Sequence, residues 1–276
     1  MLSINCKGKL LTFDRPKIMG ILNITPNSFY DGGKHNEVSS ALNQMEKLIL
    51  EGADIIDIGA YSTQPKAPFV SEEEELNRMI SFVKEAVKQF PEAILSIDTF
   101  RSEVAKQALT EGAHIINDVS GGKLDDKMFE TVGEFQAPYI LMHMKGTPQT
   151  MQQFTDYKDV VKEMMYYFSE QIQLAKQAGI KDVIVDPGFG FSKTLDQNYE
   201  VLSKLELFQL LEVPVLSALS RKSMIYRFFD YSPQEALNGT TVLNTISLIK
   251  GAQLLRVHDV KEAVECVKLY LKTYEK

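Results

Sequence analysis

The chain has no tryptophan, and only two cysteines and four histidines among its 276 residues. Cys6 and Cys266 stand at opposite ends with no Cys or His at metal-ligand spacing, so neither a disulfide framework nor a zinc site is indicated. Basic residues are in deficit: 30 Lys and Arg against 37 Asp and Glu leave a formal charge of −7. With a sequence pI of about 5.3, this argues against a nucleic-acid-binding face, though a local basic pocket for a small anion is compatible with it. No apolar run approaches the roughly 20 residues of a membrane span. The first nine residues also lack the apolar region of a signal peptide, so a cytoplasmic protein with reduced thiols and no membrane partner is expected. What remains is 44% hydrophobic and 24% charged, the composition of a globular chain rather than a disordered or fibrous one.

Short β-branched runs alternate with longer amphipathic stretches along nearly the whole length, the pattern of parallel strands joined by helices. Eight strands are expected: Lys17–Asn23, Asp54–Gly59, Ala93–Asp98, His114–Asn117, Pro138–His143, Asp182–Asp186, Pro214–Ala218 and Ala252–His258. The helices that follow them in turn are Val38–Glu51, Glu72–Phe90, Ser102–Glu111, Asp125–Phe135, Tyr157–Ala178, Asn198–Leu207, Lys222–Phe229 with Pro233–Lys250, and Val260–Tyr274. Ser71 opens an acidic first turn, and Gly52, Gly112, Gly179 and Gly251 each end a helix just before a strand. No linker divides the chain. The expectation is one α/β domain, a (β/α)₈ TIM barrel over residues 16–276, with residues 1–15 as a β-hairpin closing its bottom.

In such a barrel the chemistry sits at the C-terminal ends of the strands. Those ends carry Asn23, Asp57, Asp98, Asn117, His143, Asp186, Ser217 with Ser220-Arg-Lys-Ser223, and Arg256 with His258. This set suits a ligand with donor and acceptor edges plus a separate anionic part. Strand-end Asp and Asn also cap helices and hold loops, and Asp57 is read that way; His143, between two methionines, reads as a core residue. Asp98 and Asp186 each end an apolar strand in a carboxylate at the mouth. Lys222 starts a helix, where its cation favours an anion or an electron-rich acceptor. Arg256 and His258 alternate along one strand and so share a face, which fits a diphosphate; a buried Arg–Asp pair is the competing reading.

The segments Met19-Gly-Ile-Leu-Asn-Ile-Thr-Pro-Asn-Ser-Phe-Tyr-Asp-Gly-Gly33, Ser96-Ile-Asp-Thr99, Ile116-Asn-Asp-Val-Ser-Gly121, Asp186-Pro-Gly-Phe-Gly-Phe191, Ser220-Arg-Lys-Ser223 and Arg256-Val-His-Asp-Val260 together resemble the dihydropteroate synthases, pterin-binding barrels. The resemblance implies a transferase of folate biosynthesis that joins 6-hydroxymethyl-7,8-dihydropterin diphosphate to 4-aminobenzoate, releasing diphosphate. It implies pterin contacts and catalysis at Asp98, Asp186, Lys222 and Arg256, with Asn117 as a further pterin contact. Diphosphate contacts would fall at Asn23, Thr63, Arg256 and His258, with Mg²⁺ at Asn23. Pro65, Phe191 and Ser223 would meet 4-aminobenzoate, and a homodimer through late helices is implied. The loops depart from the family at Asn27, Tyr30, Tyr61, Gln64 and Lys66, and the seventh strand at Ala218. Two alternatives share part of the pattern: a methyltetrahydrofolate–corrinoid methyltransferase, against which speak the cations that Ser220-Arg221-Lys222-Ser223 and Arg256-Val-His258 supply for a diphosphate, and a pterin binder without catalysis.

Overall fold

The computed structural model describes residues 2–24, 34–61 and 70–274. Strands β1 (Ser3–Cys6) and β2 (Lys9–Thr12) form an antiparallel hairpin. Its two-residue turn, Lys7-Gly8, holds both residues at positive φ, the turn whose twist matches that of the flanking strands. Eight parallel strands follow: β3 (Lys17–Asn23), β4 (Ile55–Gly59), β5 (Leu95–Asp98), β6 (Ile115–Asp118), β7 (Tyr139–Met142), β8 (Val183–Asp186), β9 (Leu216–Ser217) and β10 (Leu254–Val257). They pair in the order β8-β7-β6-β5-β4-β3-β10-β9. A single bridge, Val185 to Val215, joins β8 to the approach of β9 and nearly closes the barrel.

Around it lie α1 (Lys34–Glu51), α2 (Glu72–Gln89), α3 (Ser102–Thr110), α4 (Met128–Phe135), α5 (Val160–Gln177), α6 (Leu195–Ser203), α7 (Ser223–Phe229), α8 (Leu237–Ile249) and α9 (Val260–Tyr274). Among the described residues no helix is long and apolar enough to cross a membrane. Ser71 caps α2 by accepting from the Glu74 N–H, and Asp159 caps α5 through Lys162. Gly52, Gly112, Gly179 and Gly251 all have positive φ, which lets each chain reverse from helix to strand at little steric cost.

Several boundaries differ from expectation for local reasons. α4 begins at Met128, not Asp125, because the Asp125 carboxylate accepts from the Lys127 N–H and reaches across to the Ser102 N–H. α5 begins at Val160 because Asp159 is its cap. The helix expected over 198–207 is α6 followed by a 3₁₀ segment, Leu205–Leu211, and a short 3₁₀ turn, Pro233–Ala236, precedes α8. β9 is only two residues long, since the Gln253 side chain takes the Val215 N–H.

The period of two residues along a strand explains how the interior is divided. Ile55, Ile115, Ile140, Ile184, Leu216 and Leu254 pack with Met19 as one apolar cluster, and Ile4 and Cys6 of the hairpin join it. The hairpin is tied down where Asn5 N–H meets Asp182, and where Lys7 and Lys9 donate to the carbonyls of Leu109 and Pro91. Two residues further along the same strands stand Asp57, Asn117, Asp186 and Arg256. The inside of the barrel thus changes from hydrocarbon to polar in one layer. Side chains of the alternate phase, such as Ile58, Ile97, Ile116 and Val185, face the helices and pack with Met45, Phe82 and Phe168.

Candidate active site at the barrel mouth

One wall is an ion cluster built by β4, β5, β6 and β10. The Arg256 guanidinium donates through Nε to Asp57 Oδ2 and through an Nη to Asp98 Oδ2, both at 2.6 Å. Asp57 also accepts from Ser96 Oγ at 2.6 Å and from the Asn117 amide at 3.0 Å. Three donors from three other strands, β5, β6 and β10, therefore converge on one carboxylate of β4. Burial lifts the Asp98 carboxyl to about 7 despite Arg256, with the Asp57 charge adding to the rise. For Arg256 burial works against the charge, but Asp57 and Asp98 more than compensate and hold the guanidinium firmly protonated.

The other wall comes from β8 and the loops after β8 and β9. Asp186 accepts from the Gly188 N–H at 2.7 Å, and no cation hydrogen-bonds to it among the described residues. Lys222, at the N-cap of α7, donates instead to the Phe189 carbonyl at 2.5 Å, and its ammonium lies 4.7 Å from the centre of the Phe191 ring. Burial raises the Asp186 pKa, opposed by the charges of Lys222, Arg256 and Lys193. Burial lowers Lys222 to about 8, opposed by Asp186. Ser223 is the first residue of α7, directly beyond Lys222.

At the rim, His258 Nδ1 lies 3.0 Å from Ser220 Oγ, and the same hydroxyl accepts from the His258 N–H. Desolvation and the Arg256 charge lower the His258 pKa to about 4, so its ring is neutral at pH 7. Asn23 ends β3, and a Cβ at Gly59 would sit 3.4 Å from the Asn23 amide oxygen and 3.7 Å from Asp98 Cβ. Gly59 keeps that corner open.

The structure thus brings Asp98, Asn117, Asp186, Lys222, Arg256, His258, Phe191, Ser223 and Asn23 to one end of the barrel. Thr63 and Pro65, with Asn27, Tyr30, Gln64 and Lys66, lie outside the described residues. Two readings are corrected. Asp57 is not a loop-holding residue at a strand exit: it is fully buried within β4 and organises the ion cluster. Arg221 does not add a cation to the mouth, because its left-handed backbone turns the guanidinium onto Asp259, where it makes a bidentate pair. The Arg–Asp pair held open for Arg256 exists, and it is double. Ser96 was missed as a partner of Asp57, although its place two residues before Asp98 puts both on one face. The buried Lys193 was missed as well: no sequence pattern flags a lysine whose partners are carbonyls. Tyr61 stands on the mouth side of β4, buried, edge-on to Phe100 and accepting from Gln149. Ala218 packs in the apolar interior cluster.

A buried layer with carboxylates, an amide, an ammonium and an aromatic face suits a flat heterocycle bearing both donors and acceptors. The model of the pterin binding enzyme family matches residues 19–258. A dihydropteroate synthase from Escherichia coli K12 is 44% identical over 265 residues, covering 95% of this chain and 93% of that one. The chain belongs to the dihydropteroate synthase family. A Xanthomonas albilineans dihydropteroate synthase with 4-aminobenzoic acid superposes with a TM-score of 0.92 at 38% identity, over 99% of this chain and 98% of that one. The same organism's enzyme in complex with 7,8-dihydropteroate superposes with a TM-score of 0.87 at 34% identity, over 99% of both chains. These dihydropteroate synthases superpose along nearly the whole chain, so the eight-stranded barrel belongs to the shared framework.

Proposed function

We propose that this chain condenses 6-hydroxymethyl-7,8-dihydropterin diphosphate with 4-aminobenzoate, giving 7,8-dihydropteroate and diphosphate, and that the two walls divide the work. The observation that carries the reading is Asp186, a buried carboxylate to which no cation of the described residues is hydrogen-bonded, facing Lys222 across the mouth. Its free oxygen suits the guanidine-like edge of a pterin, which offers two parallel N–H donors, while Lys222 serves the carbonyl and ring-nitrogen side. Asn117 and Asp98 complete the ring's hydrogen bonds, and the Arg256 guanidinium lies against the ring and reaches the diphosphate.

The bond between the methylene carbon and the diphosphate oxygen breaks with its electron pair going to the leaving group. The electron-rich ring shares the resulting positive charge, which Asp98 and Asp186 stabilise. The aniline nitrogen of 4-aminobenzoate then forms the new C–N bond and gives up one proton, so no strong base is required. Arg256, the neutral His258 ring and Thr63 hold the diphosphate. Phe191 and Pro65 flank the second substrate, and Ser223 meets its carboxylate.

Among the described residues there is no cluster of three or more His, Cys, Asp or Glu suited to a metal. The amide oxygen of Asn23 is a hard donor that fits Mg²⁺ and would hold it at the diphosphate end of the site. When bound, Mg²⁺ neutralises charge on the leaving group. A homodimer is also part of the proposal, supported by the exposed Val242 and Ile249 on α8 and Leu269 and Tyr274 on α9; light scattering in solution tests it. A cytoplasmic setting is supported by two buried free thiols.

The deciding experiment measures diphosphate release and dihydropteroate formation with both substrates and Mg²⁺, for wild type and Lys222→Ala. Product that depends on 4-aminobenzoate, and falls in the variant, is expected. Tight pterin binding with no product would leave a binder without catalysis.

A further inference from the structure

Lys193 is a buried ammonium to which no carboxylate of the described residues is hydrogen-bonded. It is 4% exposed, and its Nζ contacts the Gly188 and Phe191 carbonyls, each at 3.1 Å, and His143 Nδ1 at 3.2 Å. When Lys193 is charged its three N–H donors meet three acceptors, with the His143 ring presenting a lone pair at Nδ1; burial and the Lys193 charge both push the His143 pKa down.

Two of those acceptors lie in the segment that follows Asp186. That segment is unusual in its backbone: Gly188, Gly190 and Ser192 all have positive φ. A Cβ at Gly188 would fall 2.3 Å from the His143 carbonyl oxygen. The loop therefore folds tightly inward, with its carbonyls at 188 and 191 converging on one cation. The same fold turns the Phe189 carbonyl outward to accept from Lys222 and sets the Phe191 ring beneath that ammonium. Asn198 fixes the Gly190 N–H at 2.7 Å, and Ser192 Oγ accepts from the Lys145 N–H.

We propose that Lys193 is a positioning residue of the pterin pocket: its ammonium is an internal ion around which residues 188–191 wrap, and it stands as a second cation behind Asp186. The inference rests on the functional reading above. It assigns Lys193 no contact with substrate; the residue acts through Phe189, Phe191 and the charge of Asp186. The charged groups around Asp186 are Lys222 from the β9–α7 loop, Arg256 from β10 and Lys193 itself. Those around Lys193 are Asp186, Lys222, Lys145 and the His143 ring. Burial lowers the Lys193 pKa to about 7, so its charge is greatest below that pH.

The test compares wild type with Lys193→Gln, which keeps N–H donors without the charge, and with Lys193→Met, which keeps neither. Binding of 6-hydroxymethyl-7,8-dihydropterin diphosphate is followed by calorimetry from pH 5.5 to 9, with KM and kcat for both substrates and amide exchange of residues 188–193. Removing the cation leaves Asp186 harder to ionise, so the acid limb of pterin binding is expected to move up by about one pH unit in Lys193→Gln. On the acid side of the limb this weakens binding about tenfold, and the deficit closes as pH rises past it. Lys193→Met adds faster exchange at Gly190 and Phe191 and a higher KM for 4-aminobenzoate. A wild-type acid limb in both variants overturns the proposal, even if both are less stable, since a purely structural lysine would lower stability without moving the limb. Wild-type protein that binds pterin but forms no product would sink catalysis and leave this test intact. Wild-type protein that binds no pterin would sink the functional reading, and unchanged exchange in the Met variant would then sink the loop assignment too.

Discussion

The two charged walls of the mouth contain the same ingredients and use them oppositely. On the Arg256 side, Asp57 and Asp98 are each hydrogen-bonded to the guanidinium, with Ser96 and Asn117 filling further positions on Asp57. On the Asp186 side, the nearest lysines donate to carbonyls, and the carboxylate keeps an oxygen without a cation partner among the described residues. A closed cluster is rigid and holds a planar cation in place. An open one retains unspent hydrogen-bonding capacity, which a ligand supplies on arrival. The difference separates a wall whose charges are paired before the ligand arrives from a wall whose carboxylate is paired by the ligand itself.

Substitutions can break that contrast. The largest stability loss is expected from Arg256→Met, which strands two buried carboxylates: about 3–5 kcal/mol by urea unfolding at pH 8. Asp186→Asn should behave in the opposite way, weakening pterin binding by about 2–5 kcal/mol in calorimetry while the urea midpoint holds or rises. If Asp186→Asn proved the more destabilising of the two, the contrast between the walls would fail.

A pH series sharpens it. The Asp98 carboxyl, lifted to about 7 in the fold, keeps a proton that the unfolded chain releases near 4. Its contribution to stability is therefore greatest below pH 4 and is lost as pH rises through 7. Wild type should lose on the order of a few kcal/mol relative to Asp98→Asn between pH 4 and 8, and parallel curves for the two proteins would contradict this. Ser96→Ala removes one donor to Asp57 and is expected to cost about 1–3 kcal/mol by thermal unfolding. The smallest effect belongs to Ser220→Ala, which frees the His258 ring: a rise of about two- to fivefold in KM for the pterin diphosphate, with stability changed by under about 1.5 kcal/mol.

Much of this architecture is legible in the sequence because strand periodicity and chain punctuation are local. β3 and α9 occur at the expected residues, and the four helix-ending glycines all take the left-handed conformation that the reading required. Asp98, Asn117, Asp186, Lys222 and Arg256 were identifiable by position, at or beside strand ends. What escaped depended on partners far away in sequence. Asp57 looks like a turn residue until β10 brings Arg256, 199 positions later, against it. Arg221 looks like a cation of the site until a positive φ sends it to Asp259. Lys193 has no motif because its acceptors are backbone carbonyls, and carbonyls have no letter in the sequence.

The near-closure between β8 and β9 gives the pocket a further property. Seven neighbouring strand pairs share a ladder, but these two meet at one bridge, and Asp186 and Lys222 lie on its two sides. Across that line the distance between recognition groups is set by side chains and a glycine-bearing loop rather than by backbone pairing. A pterin held by both would act as a clasp on the barrel's weakest join. The protein would then be stitched shut most firmly where its substrate sits, and would loosen there first once product departs.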